Sequence, residues 1–258
     1  MTRLRLRAPP SESIPHEGEP VTPRLAEQIR ADVARLCAPG DRDLGTERNR
    51  EATRYVLDRM RDIGLDTTSI EFQVPEWRSG PATIEAVGRT VEVEPGPFSA
   101  GVHDTGILAV IRNPDEIASV EPGAVLLLCD EIATTQLTPR DYPFYSDPAH
   151  AAILDALEAS GAIAVLAATT KSAMTGAMSP FPLIEEVRFA VPSAYMTAEK
   201  GAWLAGHAGE TVTVSIDSDV KPSTGEQPMG RLPGHTDSGN PGDSAGGTSR
   251  SDGRIVVC

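Results

Sequence analysis

Apolar and polar positions alternate along this chain with two periods, and the switches between them mark out its elements. Leu25, Ile29, Val33 and Leu36 recur at helical spacing behind Thr22 as cap and Pro23 at the first helical position, and "APG" at 38–40 ends the run. A second helical stripe follows Thr46: Ala52, Tyr55, Val56, Met60 and Ile63 share a face, and Gly64 suits the left-handed position beyond the last turn. The period then falls to two. Ile70, Phe72 and Val74 alternate with Ser69, Glu71 and Gln73, which predicts a half-buried strand over 67–74. "ATIEAVGRTVEVE" predicts a hairpin about Gly88-Arg89.

Short continuous apolar runs come next. "GILAVI" (106–111) and "AVLLLC" (124–129), bounded by Gly and Pro, predict buried strands. A helix is expected over 148–160, capped by Asp147, with Pro148 first, Ile153, Leu154 and Leu157 inward and Gly161 at the stop; a strand from Ile163 to Ala167 follows at once. Strand, helix, strand of this kind implies a parallel crossover unit. A strand Pro192–Met196, a short helix capped by Thr197, and a strand with Val212, Val214 and Ile216 inward complete the middle. The expected class is α+β or mixed α/β. Its organisation reads as a disordered arm (1–21), two helices and a first strand (22–74), a β-rich domain with flanking helices (75–220), and a tail (221–258). In the tail, a Gly/Ser/Asp/Thr-rich loop (233–253) separates the short strand candidates "QPMGRL" and "RIVVC".

Composition narrows the function. With 258 residues, 40% of them hydrophobic, the chain can bury a sizeable core. A formal net charge of −14 disfavours nucleic acid as a partner. No apolar run approaches the ~18 residues of a membrane span, and the N-terminus lacks the apolar stretch of a signal peptide. Three scattered cysteines (Cys37, Cys129, Cys258) form no C-x-x-C pattern and no disulfide framework, so a cytoplasmic location is expected.

Several segments together carry a resemblance. "LGTERNREATRYVLDRMRDIGLDTTSIEFQV", with Gly45, Thr46, Asn49, Ala52, Tyr55, Gly64 and Leu65, resembles the N-terminal helix and first strand of the di-zinc aminopeptidases of aminopeptidase Y and bacterial leucyl aminopeptidase type (peptidase clan MH). "PGAVLLLCDE", "HAAILDALEASGAIAVLAAT" and "VPSAYMTAEKGAWLAGHAGETVTVSID" are similar to the protease-associated (PA) domain that many of them carry as an insert. "RLPG" and the terminal "RIVVC" resemble the second and third peptidase-domain strands, although Gln227, Pro228 and Met229 depart from the usual Asn and two valines. The resemblance covers residues 24–258. It implies a PA-like domain inserted into an incomplete first edge of a zinc-peptidase sheet, with hydrolytic removal of N-terminal residues as the parent reaction and zinc as the parent family's metal. In that family the first zinc-binding pair follows the third strand directly. The chain is therefore expected to end before the zinc ligands, to hold no cofactor of its own and to be inactive as it stands. Peptides or a missing peptidase half are the partners implied. A stand-alone PA module that binds peptides or proteins is the alternative.

Candidates for other chemistry are weak. His235, Asp237 and Asp243 mimic a metal motif, but they follow Pro-Gly in a low-complexity loop, where no rigid element would hold them. His103 and Asp104 are adjacent and diverge on an extended segment. His150 lies on a first helical turn, His207 near a helix end where a cation is favourable, and His16 in the arm. Ser193 has no nucleophile elbow, and Cys129 sits beside Asp130 and Glu131, which oppose thiolate formation. Glu185-Glu186 reads as a solvated cluster. No catalytic, cofactor-binding or metal residue is assigned. The loop 138–148, with Tyr142, Phe144 and Tyr145, is the candidate binding surface, with burial against its own helix as the competing reading.

Overall fold

The computed structural model describes residues 23–140, 145–171, 174, 176–177 and 189–232, and the backbone of 254–257. The chain divides into two units after Asp41. In the first, α1 (Pro23–Cys37) starts at the expected proline, and its stripe residues Leu25, Ile29 and Val33 are exposed.

The second unit opens with α2 (Glu47–Asp62). Thr46 caps it as expected: the Asn49 N–H donates to the Thr46 hydroxyl at 3.2 Å. Gly64 takes the left-handed conformation with φ +86°. The strands follow as β1 (Asp66–Ala86), β2 (Arg89–Pro95), β3 (Val102–Ile111), β4 (Val125–Leu128), β5 (Ala164–Ala168), β6 (Ser193–Met196), β7 (Thr211–Leu232) and β8 (Arg254–Val257). Two helices join them, α3 (Pro148–Ala159) and α4 (Ala198–Ala205).

The strand pairings close a ring. β1 pairs with β2, then β6, β5, β4, β3 and β7 follow, and β7 returns to β1. β3 to β6 are mutually parallel, as the crossover through α3 requires, and the remaining pairs are antiparallel. Each of the seven ring strands sends a side chain into one cluster, among them Ile84, Val93, Leu108, Leu127, Leu166, Met196 and Val214. β4 and β5 are buried on both faces. Leu126, Leu128 and Val165 turn the other way, against Leu154 and Leu157 of α3. Burying a leucine so completely contributes roughly 2–3 kcal/mol, so the continuous apolar runs at 125–128 and 164–168 are explained by their two-sided burial.

Two expectations change. The strands expected over 67–74 and 227–232 are stretches of much longer ones: β1 and β7 pair in antiparallel register from Asp66↔Arg231 to Ala86↔Val212, with one irregularity between Ser79 and Ala82. Beyond the ring they form a two-stranded ribbon, to which β8 adds through Met229↔Val257 to Leu232↔Arg254. The hairpin turn also lies one residue earlier than expected. Val87 and Gly88 both have positive φ (51° and 70°), the primed geometry whose twist suits a two-residue hairpin. Val87 is strained there by its branched Cβ.

Candidate functional site

The parallel strands deliver their carboxyl ends to one place. Arg112 follows β3, Cys129 and Asp130 follow β4, and Thr169 and Thr170 follow β5; with one side of α4 they line a crevice of about 450 Å³. Crevices beyond the carboxyl ends of parallel strands are a common place for ligands.

Local bonding fixes each wall. The Cys129 N–H donates to the Ile111 carbonyl at 2.9 Å, and the Ile132 N–H donates to the Arg112 carbonyl at 3.2 Å, so the two strand ends are tied together. Asp130 has a positive φ of 56°, a conformation that Asp tolerates better than most residues. There its carboxylate pairs with Arg112. The same guanidinium nitrogen, Nη1, lies 3.6 Å from the Cys129 sulfur. Thr169 is buried; its hydroxyl donates to the Met196 carbonyl at 3.3 Å and accepts from the Lys171 N–H at 3.4 Å, joining the ends of β5 and β6. Gly201 lets α4 sit directly on β5, since a Cβ there would come within 2.1 Å of the Ala168 Cβ.

The electrostatics suit binding rather than nucleophilic attack. Burial pushes the Cys129 thiol above its ordinary value; Arg112 pulls it back, and Asp130 and Glu116 push it further up. A thiol held protonated is a poor nucleophile, and no histidine among the described residues lines the crevice.

The residues singled out in the sequence do not converge. His103 and Asp104 are exposed on β3, where they pair with Ser215 and Val214, and Asp104 Oδ1 accepts from the Thr105 N–H. His150 Nδ1 accepts from the Thr138 N–H at 3.0 Å, so the imidazole is a loop anchor. The His207 ring meets Trp203 edge-on and lies 3.6 Å from Glu210. Ser193 is buried and its N–H donates to the Ser99 hydroxyl. Thr197 makes no side-chain capping bond. His16, Tyr142, Phe144, Glu185, Glu186, His235, Asp237 and Asp243 lie outside the described residues. Among the described residues no three His, Cys, Asp or Glu side chains come together to hold a metal ion, so this donor set does not fit a two-metal centre. Tyr145 of the aromatic loop is exposed. The stem of that loop is held by Arg140, whose guanidinium bonds Glu158 at 2.6 and 3.0 Å and Asp155 at 2.6 Å.

Sequence reasoning missed Arg112 and Thr169. The one available signal was position: each stands directly after an apolar strand run.

The architecture has the fold of zinc aminopeptidase-type chains. It is similar to an aminopeptidase from Aneurinibacillus sp. strain AM-1, with a TM-score of 0.59 and 16% identity over 83% of this chain and 49% of that one. A zinc aminopeptidase from Bacillus subtilis matches with a TM-score of 0.55 and 18% identity, over 82% of this chain and 48% of that one. A peptidase M28 precursor from Shewanella amazonensis SB2B matches with a TM-score of 0.55 and 16% identity, over 83% of this chain and 54% of that one. The chain thus spans about half the length of these structures. No protein-family model matches it, and no curated protein matches it.

Proposed function

We propose that this chain is the front, access-shaping portion of a zinc aminopeptidase-type hydrolase. The parent reaction is hydrolytic removal of N-terminal residues from peptides, and the metal ligands are supplied by residues other than those described. The observation that supports this reading is the shared fold with aminopeptidases over more than four-fifths of the chain. On this reading the ring corresponds to the PA-like insert, the ribbon with α2 and β8 is the edge of the peptidase sheet, and a missing peptidase half is the partner. The cytoplasmic location belongs to the same proposal; Cys37 and Cys129 are free thiols, and no described helix is long and apolar enough to cross a membrane.

Zinc titration by calorimetry together with an aminoacyl-anilide assay tests it. The expected result for the chain alone is neither stoichiometric tight binding nor turnover. Both appearing together would overturn the reading.

A further inference from the structure

We infer that the crevice at the carboxyl ends of β3, β4 and β5 binds a small aliphatic amino acid in its zwitterionic form. Its charge inventory carries the argument. Among the described residues two charged side chains line it, Arg112 and Asp130, one of each sign and already in contact. Arg112 uses Nη1 for both of its side-chain contacts, and Asp130 uses Oδ2. Nη2 and Nε of the guanidinium, and Oδ1 of the carboxylate, therefore have no hydrogen bond among the described residues. Both side chains are more than half exposed, which leaves these donors and this acceptor open to solvent and to a ligand.

That pairing selects by elimination. A simple anion at Arg112 would be repelled by Asp130, and a simple cation at Asp130 by Arg112. A neutral apolar molecule would strip water from both charges without replacing it. A ligand with a carboxylate and an ammonium about one carbon apart satisfies both with charge-assisted hydrogen bonds. The α4 side of the wall, with Ala198, Gly201, Ala202 and Ala205, is small and without charge and suits a compact aliphatic side chain, while Thr169 and Thr170 line the β5 side. The volume of about 450 Å³ lies in the range of small-ligand sites. The positive φ of Asp130 aims the carboxylate, and Thr169 locks the β5 end beside it. This inference goes beyond the proposed hydrolase role and stands without it, although free amino acids are what a peptidase of that class would release.

The test is a titration of the full chain, followed by amide chemical shifts, with L-leucine, N-acetyl-L-leucine and L-leucinamide. L-leucine is expected to give saturable shifts in the millimolar range at Arg112, Cys129–Asp130, Thr169–Lys171 and the α4 residues. The acetylated and amidated analogues, each lacking one charge, are expected to bind at least about tenfold more weakly. Asp130→Asn keeps a residue that tolerates positive φ and removes the anion; it is expected to lose L-leucine binding with an unchanged thermal melt. Ala202→Leu, which fills the wall from an exposed position, should block binding independently. No shifts up to the solubility limit of leucine would overturn the inference. So would equal binding of all three ligands, or shifts centred away from the crevice. Zinc binding or anilide turnover moves none of these readouts, so failure of the hydrolase proposal is read separately.

Discussion

β1 and β7 run side by side through two different surroundings, and the contrast separates what pairing contributes from what burial contributes. Inside the ring, Ile84 of β1 and Val214 of β7 are fully buried and sit opposite each other in register. A few residues away on the same β1, Ile70 is 52% exposed and Phe72 38% exposed, although they too are paired, with Gln227 and Gly225. The hydrogen-bond ladder runs on past the ring with a single irregularity, but the core stops. Outside the ring the ribbon is covered by α2, whose Leu57 and Met60 are buried, and lengthened at one edge by β8. It shares neither of the ring's two apolar clusters, so the ring should hold most of the stability of this unit. Exposed apolar residues on an open edge are also a pairing hazard.

The sharpest way to break this contrast is to truncate one side chain in each place. Leu127→Ala, in the ring, is expected to cost about 3–4 kcal/mol in urea unfolding, through lost burial plus the cavity left behind. Ile70→Ala, on the ribbon, is expected to cost no more than about 0.5 kcal/mol. Comparable losses at the two positions would contradict the account.

A smaller effect should appear at the ring's outer layer, where Arg140 clamps α3. The Arg140 guanidinium holds the Glu158 carboxyl below its ordinary value of 4.5, and a hydrogen bond from the Ala190 N–H acts in the same direction against burial. A carboxyl depressed in the folded state contributes stability that is present above its unfolded value and is lost as pH falls through the folded one. Arg140→Gln should therefore lower stability by about 1–2 kcal/mol at neutral pH. The gap to the unaltered chain should narrow as pH drops below 4.5, measured from urea midpoints at each pH. A gap that stays constant into the acid range would show that the clamp acts through packing alone.

The smallest expected change is a gain. Val87→Asn places a residue that tolerates positive φ next to Gly88 in the hairpin turn, and should stabilise by about 0.5–1 kcal/mol in the same unfolding measurement. No gain, or a loss, would mean that Val87 contributes packing that its exposure does not reveal.

The ring was legible in the chain because its signals are local. Thr46 and Asp147 cap their helices with the bonds their positions imply, and the apolar runs at 125–128 and 164–168 are buried strands. The ribbon was not legible. Pro75 and Pro222 punctuate the pattern and read as breaks, yet they sit opposite each other in register. Proline, which lacks an N–H, is tolerated where a strand edge faces away from a partner, and the ribbon offers such edges at Pro75 and Pro222, away from the β8 pairing at 229–232. The crevice was hidden for a different reason. Its walls come from the ends of three strands and one helix, and only the side-by-side parallel pairing of β3, β4 and β5 brings Arg112, Asp130 and Thr169 to one spot. Of these, Asp130 alone was weighed in sequence, as a charge beside Cys129 rather than as half of a pair.

Hydrogen exchange resolved along β1 and β7 tests the central claim most directly. The amides of 82–86 and 212–216 are expected to exchange only with global unfolding, while those of 66–74 and 223–231 exchange through a separate, lower-energy opening. Equal protection along both strands would contradict the account, because it would make ring and ribbon one cooperative structure.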